Sequence, residues 1–147
     1  MGVQNILGEK GNVVFTISMN SSIEDAVKLV NEKRIGAIIV MDDDKLQGII
    51  TERDILKNFL ALRNSTENIT VKQIMTPREK LIIATKDDDI QYLMNVMTKN
   101  KIRHLPVMDK EKLVGVISIR DIVKSLLSET TYENKLLKDY ISGKYPG

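Results

Sequence analysis

Two short runs carry the side chains best suited to chemistry: Thr51-Glu52-Arg53-Asp54 and Ser118-Ile119-Arg120-Asp121. Each offers a hydroxyl, a guanidinium and a carboxylate in the same order, shortly after a glycine, Gly48 or Gly115. A carboxylate can accept both vicinal hydroxyls of a ribose, and a guanidinium can pair with a phosphate. The glycine at a strand end would let a ligand come close to the backbone. Both runs also fit the pattern Ser/Thr-x-x-Asp/Glu, in which two side chains cap the N-terminus of a helix reciprocally. An arginine in a first helical turn lies at the positive end of the helix dipole, where a cation is disfavoured. Its presence there twice argues for an anion that joins it, because a helix N-terminus already favours anions. Ribose-phosphate contacts and helix caps both stand as readings, and they are compatible.

These side chains belong to a longer repeat. An offset of 67 residues, from Gly48 to Gly115, lays "IGAIIVMDDDKLQGIITERDIL" (35–56) over "IRHLPVMDKEKLVGVISIRDIV" (102–123) without an insertion. Upstream, "SSIEDAVKLVNEKR" (21–34) lies over "DDIQYLMNVMTKNK" (88–101). The apolar runs "VVFTIS" (13–18) and "KLIIAT" (80–85) predict strands. Helices follow, with Ile23, Ala26, Val27 and Val30, then Ile90, Leu93, Met94 and Met97, at helical spacing. Ser21 and Glu24 suggest a capping box, and the acidic run Asp87–Asp89 suits a helix start. Polar "DDDK" and "DKEK" turns make each following strand pair a hairpin, and a second helix opens at Thr51 or Ser118. Between the copies, "NSTENITVKQIMTP" reads as a polar linker with a helical turn stopped by Pro77.

The division expected is a first repeat with its N-terminal segment over 1–66, a second over 67–127, and a C-terminal amphipathic helix and tail over 128–147. In that tail Tyr132, Leu136, Leu137, Tyr140 and Ile141 form an apolar stripe, for docking on this chain, a twin or another protein.

Composition narrows the function classes. Net charge is +2 with both signs mixed along the chain, and aromatics make up 4%. Neither a basic stripe nor a stacking platform for nucleic acid is present. The chain has no cysteine and a single histidine, which removes disulfides, thiolate sites and cysteine nucleophiles. No apolar run reaches the roughly 20 residues that span a bilayer. The start "MGVQNILGEK" has no signal-peptide layout, and Ile6 stands where a myristoylation signal wants Ser or Thr. A cytoplasmic protein is expected, without membrane insertion and without nucleic-acid partners. The aspartates 42–44 and 87–89 lack the spacing of a calcium loop and suit a turn and a helix start, so no metal site is expected. The methionines at 75, 94, 97 and 108 fall on apolar faces as core filler. No catalytic set or Walker-type loop is visible, so no enzyme is expected.

The whole repeat resembles the CBS domain, and the pair resembles a Bateman module of the stand-alone bacterial or archaeal type. The carrying residues are the two 22-residue stretches above, with "VKQIMTP" introducing the second copy, and the resemblance covers roughly residues 5 to 127. It implies an α/β (α+β) fold of two strand-helix-strand-strand-helix repeats, packed sheet to sheet with pseudo-two-fold symmetry. Two clefts between the repeats would take an adenosyl ligand: AMP foremost, with ADP, ATP, NAD or S-adenosylmethionine as alternatives, and no cofactor required. Asp54 and Asp121 would each hold a ribose, with Thr51 and Ser118 beside them. Arg53 and Arg120 fall where some relatives keep a phosphate contact. Arg103 and His104 align with a basic pair that binds phosphate in AMP-sensing relatives. Opposite that pair stand Gly36 and Ala37, so the two clefts would be unequal. An imidazole titrates near neutrality, which would make anion binding at His104 pH-sensitive. Adenine would sit against apolar residues, with Val14, Ile38 and Ile83 as candidates. The resemblance further implies a homodimer through the second helices. A nucleotide-independent adaptor, acting on a protein partner through the C-terminal helix or the dimer surface, is the alternative.

Overall fold

The computed structural model describes residues 2–10, 14–58, 60, 63 and 68–127. The expected tail helix over 128–147 lies outside the described residues. Helix α1 (Val3–Lys10) leads into β1 (Thr16–Ile17), α2 (Ile23–Lys33), β2 (Ala37–Asp42), β3 (Lys45–Thr51) and α3 (Glu52–Lys57). Then come α4 (Val71–Ile74), β4 (Thr76–Pro77), a 3-10 turn at Arg78–Lys80, β5 (Ala84–Thr85), α5 (Ile90–Asn100), β6 (His104–Asp109) and β7 (Lys112–Ser118). Residues 119–127, the last described, are helical and form α6. The order strand, helix, strand, strand, helix thus occurs twice, as the repeat predicts.

The long helices match in their caps. Ser22 accepts a hydrogen bond from the Asp25 N–H at 3.1 Å to open α2, and Asp89 accepts from the Gln91 N–H at 3.1 Å to open α5. The α2 cap lies one residue beyond the expected Ser21. The Ser21 carbonyl instead accepts from the Val71 N–H at 2.8 Å, which leaves Ser22 as the last extended residue. Both helices end in a left-handed residue, Arg34 and Lys101.

The sheets run β1-β2-β3-β4 and β5-β6-β7, with β1 and β5 parallel to their neighbours and the other pairings antiparallel. Strands β1 and β5 are shorter than the apolar runs predict. Within those runs Val14, Leu81 and Ile83 join the apolar layer between the repeats rather than the ladders. Strand β2 is apolar almost throughout because both its faces are covered. Ile38, Val40 and Ile50 face a first core with Ile23, Ala26 and Val71. Ile39, Leu46 and Ile49 face the other way, onto Met108 with Leu113 and Val116 of the second repeat. That layer packs the repeats sheet to sheet.

Helix α1, which periodicity alone did not reveal, does not stay with the repeat it precedes. Val3, Ile6 and Leu7 lie in the second core with Ile90, Leu93, Met97, Leu105, Ile117 and Ile122. Correspondingly α4, which precedes the second repeat, buries Val71 in the first core. "VQNIL" (3–7) over "VKQIM" (71–75), at an offset of 68 from Val3 to Val71, is the sequence trace of this exchange. Bridges Gly2↔Asp89 and Ser22↔Thr70 anchor the two helices at matching places.

Candidate functional site

Thr51 ends β3 and opens α3, and its fully extended backbone makes it the N-cap. Its hydroxyl accepts from the Asp54 N–H at 3.2 Å, while Asp54 Oδ2 accepts from the Thr51 N–H at 3.0 Å and from the Thr51 hydroxyl at 3.1 Å. In the second repeat the Asp121 N–H donates to Ser118 Oγ at 3.1 Å, and the Ser118 N–H to Asp121 Oδ2 at 2.9 Å. The capping arrangement is therefore built in both copies. All four residues are half-buried, with carboxylates fixed at the junction of strand and helix.

The surroundings differ. Asp54 Oδ1 accepts from the Thr76 hydroxyl at 3.2 Å, a partner that the sequence reading did not single out. Arg53 is exposed and donates through Nη1 to the Lys101 carbonyl at 2.6 Å, at the C-terminal end of α5. A cation is favoured there by the dipole of α5. This contact joins the first repeat to the second. Arg120, its counterpart, is exposed and makes no hydrogen bond or ion pair among the described residues.

His104 begins β6 and is half-buried; Arg103 before it is exposed, its carbonyl accepting from the Ile119 N–H at 2.8 Å. A methyl group placed on Gly36 would lie 3.2 Å from both Cε1 and Nε2 of His104, and 3.4 Å from Oε1 of Glu52. The imidazole of the second repeat thus sits against the first repeat, beside the opening turn of α3. His104 and Arg53 come to the same junction between α3 and the α5–β6 connection. The small residue opposite the basic pair, read from sequence as a missing charge, also makes room for the histidine.

Of the apolar candidates, Val14 and Ile83 both pack against the layer between the sheets. Ile38 is fully buried on the other face of β2, so the structure does not bring it together with them. The glycine of the opening motif has a different occupant from the one expected. A Cβ on Gly48 would overlap the Thr76 carbonyl oxygen and lie 3.0 Å from Met75 Sδ, so the open space serves β4 rather than a ligand. At Gly115 the neighbour is Leu7 of α1, 2.8 Å away.

A hollow of about 590 Å³ lies between the hairpin tips, lined by Met41, Asp44, Asp109, Lys110, Glu111, Lys112 and Leu113. It is at the end of the β2–β3 ladder opposite Thr51, so it is separate from the carboxylate turns. Asp42 accepts from the Ser18 hydroxyl and the Met19 N–H, and Asp109 pairs with Lys86 at 3.2 Å. Among the described residues no cluster of His, Asp and Glu could hold a metal, and no helix is long and apolar enough to cross a membrane.

Two copies of one α/β unit, joined through their sheets and each ending in a hydroxyl–carboxylate turn, define a tandem two-domain module. The sequence profile of the CBS domain matches residues 12–61 and 71–128. The chain belongs to the CBS domain family and carries a pair of its domains. It is 36% identical over 129 residues to the CBS domain-containing protein CBSX3, mitochondrial, of Arabidopsis thaliana, covering 86% of this chain and 63% of that protein. A solved structure described as a putative signal-transduction protein with CBS domains, from Burkholderia ambifaria, is 37% identical with a TM-score of 0.81, covering 87% of this chain and 95% of that one. The CBS domain pair of protein MJ0100, solved in complex with 5-methylthioadenosine and S-adenosyl-L-methionine, is 29% identical with a TM-score of 0.75, covering 88% of this chain and 98% of that one.

Proposed function

We propose that this chain is a non-enzymatic sensor of an adenosyl ligand, AMP foremost, with ADP, ATP, NAD and S-adenosylmethionine as alternatives. The observation that carries this reading is the pair of half-buried hydroxyl–carboxylate turns, Thr51–Asp54 and Ser118–Asp121, one in each repeat. The adenosyl ligands of the MJ0100 pair support the class of ligand. In this reading Asp54 and Asp121 take ribose hydroxyls, and Thr51 and Ser118 stand beside them. Adenine packs near Val14 or Ile83. Arg103 and His104 take phosphate on one side of the module only, and Arg53 and Arg120 supply further cations. Ligand binding shifts the arrangement of the repeats to the extent of its differential affinity for the two states.

The readout is a homodimer surface. Leu56 and Leu60 are 70% and 75% exposed, and their counterparts at the same offset, Val123 and Leu127, are 42% and 60% exposed. Four exposed aliphatic side chains in matched positions suit an isologous contact with a second copy. The same face supports the second reading, a nucleotide-independent regulator that docks on a protein partner.

Thermal unfolding against AMP, ADP, ATP, NAD, NADH and S-adenosylmethionine separates the two. A ligand at about a hundred times its Kd adds about 2.7 kcal/mol, a rise of about 5–10 °C for a chain of this size. Stabilisation by one adenosyl ligand, lost in Asp54→Ala or Asp121→Ala, is the expected result. No stabilisation after removal of co-purified nucleotide would refute the sensor and favour the docking role.

A further inference from the structure

We propose that Thr76 sets the affinity of the first carboxylate turn by competing with the ligand for Asp54, an inference that rests on the adenosyl reading above. Asp54 Oδ2 is occupied by two donors from Thr51, so the free acceptor capacity of the carboxylate lies on Oδ1. The Thr76 hydroxyl donates to that oxygen at 3.2 Å. One acceptor site remains on Oδ1 beside Thr76, so a ribose diol that gives both of its hydroxyls to Asp54 has to displace the threonine.

The backbone of Thr76 is fixed on both sides. It pairs with Ile49 in the β3–β4 ladder, and its carbonyl occupies the space that Gly48 leaves open. Its hydroxyl comes from the segment that introduces the second repeat, so displacement would carry a ligand signal from the first repeat into that connection. At the 68-residue offset the residue that matches Thr76 carries no hydroxyl. Gly8 stands there in the sequence, still within α1, with nothing within 4 Å of a Cβ built on it.

The test is a titration of AMP, and separately of 5′-methylthioadenosine, followed by amide NMR. The Thr51 and Asp54 amides report the first turn, and the Ser118 and Asp121 amides the second. Thr76→Val keeps the shape and removes the hydroxyl. The first turn should then bind roughly three- to tenfold more tightly, the net value of about one hydrogen bond. Affinity at the second turn should not change, and Thr76→Ser should behave as the parent protein. A purely structural role predicts the reverse, with lower stability and weaker binding together; Thr76→Ala provides the same comparison if valine disturbs the ladder. Unchanged or weaker binding at the first turn, with the parent protein binding there, overturns the role of Thr76 and leaves the sensor reading standing. Amides that move in neither turn for any protein remove the sensor reading, and the competition with it.

Discussion

Replacing Gly48 and Gly115 by alanine, one at a time, tests how the two halves are held. The residues are equivalent in sequence, yet the added methyl group meets different obstacles. At Gly48 it runs into the Thr76 carbonyl, with Pro77 Cα at 3.3 Å, so backbone must move. That movement breaks the pairing of Gly48 with Pro77 and Ile49 with Thr76 and pulls the Thr76 hydroxyl from Asp54. At Gly115 the methyl group meets the end of one side chain, Leu7 Cδ2 at 2.8 Å, which can turn by a small adjustment of α1. Overpacking a rigid site costs about 1–3 kcal/mol, and a lost hydrogen bond adds about 1 kcal/mol. Alanine in place of glycine within a strand returns about 0.5–1 kcal/mol. The net expectation is about 2–3 kcal/mol for Gly48→Ala and about 1 kcal/mol or less for Gly115→Ala. At about 3 °C per kcal/mol, calorimetry should show a Tm lower by about 6–9 °C in the first and by no more than about 3 °C in the second. Amide shifts in the first should concentrate at Thr76 and Asp54. Equal losses, or a larger one at Gly115, would refute the assignment of the Gly48 space to β4.

Leu7→Ala should cost about 2–4 kcal/mol, and hydrogen exchange should rise in α5 and β6 before α2 and β2, because Leu7 is buried in the second core. Asp43 and Asp44 both hold positive φ in the two-residue turn between Asp42 and Lys45, so Asp44→Gly should raise stability by about 0.5–1 kcal/mol, read from the denaturant midpoint. Arg53→Gln should speed exchange of amides at residues 101–103, while Arg120→Gln should leave the equivalent residues of the first repeat, 34–36, unchanged; equal effects would contradict the one-sided contact. Leu56→Lys together with Val123→Lys should turn a dimer into a monomer in light scattering without lowering Tm by more than about 3 °C, since both side chains are exposed in the single chain.

The sequence by itself determined the duplication, the order of elements in each copy and the turns that hold the carboxylates. These are local matters: periodicity sets helix or strand, and Thr51–Asp54 and Ser118–Asp121 cap a helix within four residues of chain. It also located the inequality of the copies at Gly36 and Ala37 opposite Arg103 and His104. Tertiary structure alone decided which repeat each entering helix joins, because Val3 and Val71 are apolar residues that either core could bury. It decided that Gly48 makes room for a backbone strand, that Ile38 turns away from Val14 and Ile83, and that Arg53 reaches the end of α5. It also brought Thr76 to Asp54 across 22 residues of chain. Such contacts depend on the register and face of elements far apart in sequence. A one-residue slip along a strand reverses which face a side chain occupies, and no local pattern fixes which partner waits there.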